Sequence, residues 1–409
     1  MDEKDILEIR KQFPIFKQKM HDKPLIYFDS AATTQKPQRV IDSLSSFYAN
    51  EYATVHRGVY ELSMRATDKY NATRETVKKF MNAKSEEEIV FTRGTTESIN
   101  LVAYTYGETN ISEGDEIIIS EMEHHSNLVP WQMLCKRKNA QLKVIRIDDK
   151  GELIIEDFER QLSERTKLVC IGHIANSTGT INPIKEIIEK AHKFNAKVLI
   201  DGAQASSHLK VDVQALDADF YAFSSHKMYG PNGIGILYGK KEILDTMPPF
   251  QGGGDMIEHV TIEETTYQHP PLRFEAGTPT IPEIIAFKDA IDFIEEIGLE
   301  KIYTWEKKLL DYATEKMQKL SPVRIIGTAK EKGALISFIV AEEHPLDIGT
   351  FLDLEGIAVR TGHHCAQPTM EHFNIPGTVR VSFGIYNTLN EIDVFLNELN
   401  RIINKLHKN

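Results

Sequence analysis

Short runs of branched apolar residues alternate along this chain with longer stretches whose apolar positions recur every three or four residues. The short runs predict strands at Ile89–Phe91, Glu116–Ile119, Lys143–Ile147, Leu168–Ile171, Lys197–Ile200, Asp219–Phe223 and Ile234–Tyr238. They are almost continuously hydrophobic, which suits a mainly parallel sheet covered by helices on both faces. Helical patterns such as Ile184–Phe194 lie between them, giving a βαβ rhythm. The rhythm changes at about Pro282. A helical pattern runs from Glu283 to Leu320, divided by Gly298 as a C-cap, and strands follow at Val323–Ile326 and Leu335–Val340. A last helix from about Glu391 carries one apolar stripe, Ile392, Phe395, Leu396, Leu399, Ile402, Ile403 and Leu406. The expected fold class is α/β: a large domain over residues 25–280 and a smaller α+β domain over 281–409, against which residues 1–24 pack.

The 409 residues, 41% hydrophobic and 26% charged, suffice for two packed cores. The best apolar run, Ala334–Ala341, is far short of a membrane span and reads as a buried strand. Forty-eight basic against sixty acidic residues give a net charge of −12, which argues against a nucleic-acid or anionic-membrane partner. The acidic start Met1-Asp-Glu-Lys-Asp predicts no secretory or transit segment, and three scattered cysteines predict neither a disulfide framework nor a paired zinc motif. A reduced, cytoplasmic protein is expected.

Candidate chemistry gathers where strands end, the place where open α/β sheets bind ligands. Ser224-Ser-His-Lys227 follows one strand, and Asp201-Gly-Ala-Gln204 ends another. A lysine and an acid at neighbouring strand ends are what pyridoxal phosphate requires: an amine for its aldehyde and a carboxylate to keep the pyridine nitrogen protonated. Thr92-Arg-Gly-Thr-Thr-Glu97 opens a helix whose amides suit a phosphate, with Ser224 and His226 as further donors, although it also reads as an ordinary capping turn. In Glu121-Met-Glu-His-His-Ser-Asn127 a histidine suits ring stacking and proton transfer, with a metal pair as the alternative. Arg360-Thr-Gly-His-His-Cys365 is too polar for a core strand and offers a thiol whose basic neighbours favour the thiolate; a zinc site with His363, His364 and His372 is the competing reading. Cys135 and Cys170 lie in apolar contexts and read as structural. Arg380, on the polar face of an alternating strand, suits a substrate carboxylate, with a surface ion pair as the bland alternative.

Taken in order, these segments, with Tyr27-Phe-Asp-Ser-Ala-Ala32, His56-Arg-Gly58 and Arg273-Phe-Glu-Ala-Gly-Thr278, resemble the class V aminotransferase superfamily of fold-type I pyridoxal-phosphate enzymes. More narrowly, the chain resembles the group II cysteine desulfurases (SufS type), to which the short histidine-rich loop before Cys365 is specific. The resemblance implies that Lys227 binds the cofactor aldehyde, Asp201 pairs with the pyridinium, Gln204 bonds the ring hydroxyl and His124 stacks on the ring and assists proton transfer. It implies phosphate binding by Thr95, Thr96, Ser224 and His226, joined by Thr278 from the other subunit of a homodimer. Asn176 and Arg380 would hold the substrate carboxylate, Asn176 lying against the cofactor as well, with Arg360 near the reacting sulfur and His56 at the dimer interface. The implied reaction converts L-cysteine to L-alanine with a persulfide on Cys365. That sulfur passes to a SufE- or SufU-like acceptor protein for iron–sulfur cluster assembly, and selenocysteine lyase activity accompanies it. Ser177-Thr178, Tyr60 and Asp255 depart from the family pattern. Another class V enzyme (aminotransferase, epimerase or kynureninase-like lyase) and a non-catalytic sulfur or metal carrier are the rival readings.

Overall fold

In the computed structural model, which describes residues 1–406, one seven-stranded sheet forms the centre. Its strands are β1 (Ile89–Thr92), β2 (Glu116–Ser120), β3 (Gln141–Ile145), β4 (Thr166–Gly172), β5 (Lys197–Asp201), β6 (Phe220–Ser224) and β7 (Gly235–Gly239). They lie in the order β1-β7-β6-β5-β4-β2-β3. The pairs from β6 across to β3 are parallel, and β7 runs antiparallel to both neighbours. Both faces are covered: Val198, Leu199 and Ile200 on β5 are all fully buried, which is why that strand does not alternate. Each such side chain contributes roughly 1.5–3 kcal/mol on leaving water.

The flanking helices follow from their periodicity. Of the nine residues Ile184–His192, the apolar Ile184, Ile187, Ile188 and Ala191 face the core. Three more helices matter for the site: α1 (Glu3–Arg10), α2 (Glu61–Met81) and α3 (Thr95–Val102). The long C-terminal pattern resolves into α4 (Ile281–Ile297) and α5 (Leu299–Met317), with Gly298 at φ +92° between them, the division its sequence predicts. Beyond them β8 (Val323–Ile326), β9 (Leu335–Val340), β10 (Arg360–Gly362) and β11 (Thr378–Ser382) form an antiparallel sheet in the order β8-β9-β11-β10. The helix α6 (Leu389–Leu406) packs its stripe against this region. Residues 407–409, the end of the expected small domain, lie outside the described residues.

Three expectations shift. The strand expected at Lys143–Ile147 runs over Gln141–Ile145, because pairing to β2 begins at Glu116–Gln141 and polar side chains are tolerated on this edge. The last helix starts at Leu389, because Thr388 and Glu391 cap it reciprocally: Thr388 donates its amide to the Glu391 carboxylate at 3.0 Å, and Glu391 N–H reaches Thr388 Oγ1 at 3.2 Å. The strand around Arg380 has no polar face; all five residues of β11 are buried.

The N-terminal stretch fastens across the molecule. Arg10 pairs with Glu391 at 2.8 Å and donates to the Tyr386 carbonyl, also at 2.8 Å. Ile26–Tyr27 pair in parallel with Ile357–Ala358, so Asp29 arrives beside β11. Among the described residues no helix is long and apolar enough to cross a membrane.

Candidate active site

The carboxyl ends of β5 and β6, the turn from β1 into α3, and the loop after β10 converge on a cavity of about 300 Å³. Asp201 closes β5, while Ser224 closes β6 and is followed by a single 3-10 turn that delivers Lys227. Two glycines permit the crowding. A Cβ at Gly235 on β7 would lie 2.5 Å from the Gly94 backbone, and one at Gly202 would lie 2.0 Å from the Tyr221 ring.

At one end, the Thr95 amide donates to Ser224 Oγ at 2.8 Å, and the two hydroxyls stand 2.7 Å apart. With Thr96 and His226 they make a cradle of neutral donors at the N-terminus of α3, a shape and polarity that fit a phosphate. In the middle stand Lys227, Asp201, Gln204 and His124. Burial holds the Lys227 ammonium down to about 8, against the opposing pull of the Asp201 carboxylate. Burial likewise raises Asp201, although the Ala203 amide and Lys227 favour its ionised form. His124 is pushed down to about 4, chiefly by burial and then by Lys227, so its ring is neutral. Its Nδ1 accepts the Ser126 amide at 3.1 Å, which leaves the proton on Nε2.

At the other end Arg380 is buried, donating to the Asn176 carbonyl at 2.9 Å and meeting Asp29 at 3.4 Å. Burial lowers its guanidinium to about 10. Arg360 grips the same Asp29 carboxylate, through Nη2 at 2.8 Å. Among the described residues, four buried polar atoms of the cavity lining stand without partners: the Arg380 Nε donor, the Asn176 and Asn182 Oδ1 acceptors and His364 Nδ1. Such orphans are costly in a closed core and suit a polar ligand.

Cys365 lines this cavity and is solvent-exposed, while Cys135 and Cys170 are buried. The loop that carries it is held from the large sheet. Asn176 Nδ2 donates to the His364 carbonyl at 2.6 Å, and the His125 amide donates to the Cys365 carbonyl at 2.8 Å. His364 and Cys365 both adopt left-handed backbone, at φ +53° and +56°. Each such non-glycine residue costs about 1–2 kcal/mol, and the two clasps hold them there.

The single chain thus gathers Thr95, Thr96, His124, Asn176, Asp201, Gln204, Ser224, His226, Lys227, Arg360, Cys365 and Arg380 around one cavity. Two expected residues stand elsewhere. Thr278 lines a separate cleft of about 110 Å³ with Arg93 and Glu275, and His56 lies outside the cavity on a loop at φ +72°. No group of three or more histidine, cysteine or acidic side chains among the described residues is arranged to hold a metal ion. Two of the departures find partners, the Thr178 hydroxyl with Thr180 at 2.9 Å and Asp255 with Arg57 at 3.1 Å, whereas Ser177 Oγ is buried without one among the described residues.

Sequence reasoning gave no role to three residues here. Asp29 sits inside a quoted motif, but its importance comes from two arginines. Glu123, buried and lining the cavity, accepts from Ser120 and from Asn127, and burial raises it to about 7. Lys36 carries no sequence signal at all.

Residues 26–395 match the class-V aminotransferase family. A probable cysteine desulfurase of Mycolicibacterium paratuberculosis is 51% identical over 398 residues, and this chain spans 97% of its own length but 58% of that protein's. A cysteine desulfurase of Salmonella newport is 49% identical over 396 residues, covering 97% of both chains. The apo structure of a cysteine desulfurase from Thermococcus onnurineus superposes with a TM-score of 0.93 at 40% identity, covering 97% of this chain and 98% of that one. The chain belongs to the class-V aminotransferase family. Within this family member the match runs from the N-terminal pairing at Ile26 to Phe395 in α6, so it takes in both sheets and every residue that lines the cavity.

Proposed function

We propose that the protein is a pyridoxal-phosphate-dependent cysteine desulfurase of group II, and that Cys365 carries the sulfur. The observation that bears most weight is an exposed thiol lining the same cavity as a half-buried lysine with a lowered pKa. An aminotransferase needs the lysine but has no use for the thiol.

The cavity fits the cofactor: a neutral cradle for its phosphate, Asp201 for its ring nitrogen, Gln204 for its hydroxyl, His124 for its face and Lys227 for its aldehyde. Asn176, whose Oδ1 lacks a donor, lies against both cofactor and substrate. When bound, pyridoxal phosphate supplies an aldehyde that captures the substrate amine and a ring that accepts electrons from the bonds broken at the amino acid. The chain's own residues do the rest. Arg380 presents its unpartnered Nε–H to the L-cysteine carboxylate, and Arg360 stands beside the reacting sulfur. Lys227, neutral above about pH 8, removes the α-proton. Neutral His124 moves a proton to or from the substrate through Nε2. The Cys365 thiolate then attacks the substrate sulfur: the carbon–sulfur bond breaks, a sulfur–sulfur bond forms, the carbon keeps the electron pair and takes up a proton, and alanine leaves. Cysteine plus thiol becomes alanine plus persulfide, with atoms and electrons balanced.

The exposure of Cys365 suits hand-over of its persulfide to a SufE- or SufU-like acceptor for iron–sulfur cluster assembly. Selenocysteine, with its weaker carbon–selenium bond, is a second substrate. Residues 25–280 form the cofactor domain and 281–409 the domain bearing the cysteine loop, with residues 1–24 packed on the latter. The working form is a cytoplasmic homodimer, in which Thr278 completes the partner's phosphate site and His56 lies at the interface; three unbridged cysteines suit a reducing compartment.

The test is alanine and sulfide release from cofactor-loaded protein given L-cysteine and a reductant, without any keto acid. Equal yields of the two products are expected. Cys365→Ala should keep the covalently reducible cofactor and lose turnover by about two orders of magnitude or more. Unchanged sulfide release by that variant, or a strict need for a keto acid, overturns the reading.

A further inference from the structure

Lys36 is a half-buried cation without an acid. Its Nζ donates to the Thr34 carbonyl at 2.6 Å and to the His226 carbonyl at 2.9 Å, and among the described residues no carboxylate lies within ion-pairing distance. Nor is it needed to satisfy His226. That carbonyl, with two lone pairs, is already approached by the Thr34 amide at 3.0 Å and by the Thr33 and Thr34 hydroxyls, each at 3.1 Å. Burial alone pushes the ammonium down to about 7, with nothing opposing it. A charge largely withdrawn from water and held only by carbonyls is costly unless an anion completes it.

The anion is implied next door. His226 turns its backbone to Lys36 while its side chain lines the phosphate cradle, whose other donors, Thr95, Thr96 and Ser224, are uncharged. The cationic side chains that line the cavity are committed elsewhere: Lys227 to the aldehyde, and Arg360 and Arg380 to Asp29 and the substrate end. A phosphate monoester carries close to two negative charges near neutral pH, more than neutral donors and a helix terminus offset.

We propose that Lys36 is the counter-charge of the cofactor phosphate, acting from behind His226, and thereby a specificity determinant for the phosphorylated over the unphosphorylated cofactor. This rests on the pyridoxal-phosphate reading above. The pair Lys36–phosphate completes the charge balance that the cradle lacks, and binding of the anion in turn holds Lys36 protonated.

The experiment compares dissociation constants of pyridoxal phosphate and of pyridoxal for the apo form of the full chain at pH 7, in the wild type, Lys36→Met and Lys36→Arg. Lys36→Met should weaken pyridoxal phosphate by about tenfold or more while leaving pyridoxal within about twofold, and Lys36→Arg should recover most of the loss. Retained pyridoxal binding shows that the variant is folded. Equal weakening of both ligands marks Lys36 as a loop prop and overturns the proposal, as does no weakening of either. If the wild type binds neither ligand, the cofactor reading itself falls, and this inference with it.

Discussion

On the reading proposed above, Lys227 would react with an aldehyde only as the free amine, so its lowered pKa would set when the protein takes up the cofactor. With the ammonium held near 8, the rate of covalent attachment to the apo protein should rise through pH 8 and level off above it. Borohydride trapping followed by intact mass would read this, and a rate still climbing at pH 10 would contradict the desolvation of the amine. The Asp201 charge works in the opposite sense, raising the lysine. Asp201→Asn should therefore move the midpoint to lower pH. At this scale the sequence was legible where chemistry sits at strand ends, as with Lys227, Asp201 and Ser224. It was illegible where meaning comes from a distant partner: Asp29 meets Arg360 and Arg380 across 331 and 351 positions. Periodicity is a local signal and carries no such information.

At the scale of elements, one buried ion pair joins α2, β1 and the segment before Thr278. Arg74 on α2 donates to both oxygens of Glu275, at 2.8 Å each, and the Phe91 amide on β1 donates to the same carboxylate at 2.8 Å. Tyr70 adds its hydroxyl at 3.1 Å. The pair fixes the segment that leads to Thr278 against the strand that leads to Thr95. Arg74→Ala leaves Glu275 buried and unpaired and should cost about 3–5 kcal/mol, measurable by urea denaturation. A loss below about 1 kcal/mol would mean that solvent reaches the pair. Arg74 did not stand out in the sequence, because a charged residue on a helix reads as a solvated face until packing buries it, and Glu275 lay in a quoted motif without a role of its own. The helices and most strands were legible from their periods, whereas their ends were set by capping and pairing, as at Thr388 and Gln141.

At the scale of the whole molecule, one cavity gathers Lys227, Asp201, His124 and Cys365, but Thr278 opens into a different cleft. If Thr278 serves the neighbouring subunit, a mixture of Lys227→Ala and Thr278→Ala chains regenerates one intact site in each mixed dimer. Equilibrated mixtures should then recover tight, covalently reducible cofactor binding that neither variant shows alone. Recovery of none would place Thr278 in service of its own chain. The assembly could be expected only from resemblance, since a single sequence carries no direct sign of which surfaces meet.

The two hydrogen bonds from Asn176 and His125 to the backbone of His364 and Cys365 have a mechanical consequence. Lys227 and Asp201 ride on the central sheet, while the cysteine loop belongs to the second sheet and is pinned to the first, at these two residues, by those bonds. Any rotation that parts the sheets releases both pins together and carries the thiol off, while the amine and the acid stay in place. The fold thus works as an interlock: the thiol keeps its place beside the amine and the acid only while the two sheets stay together.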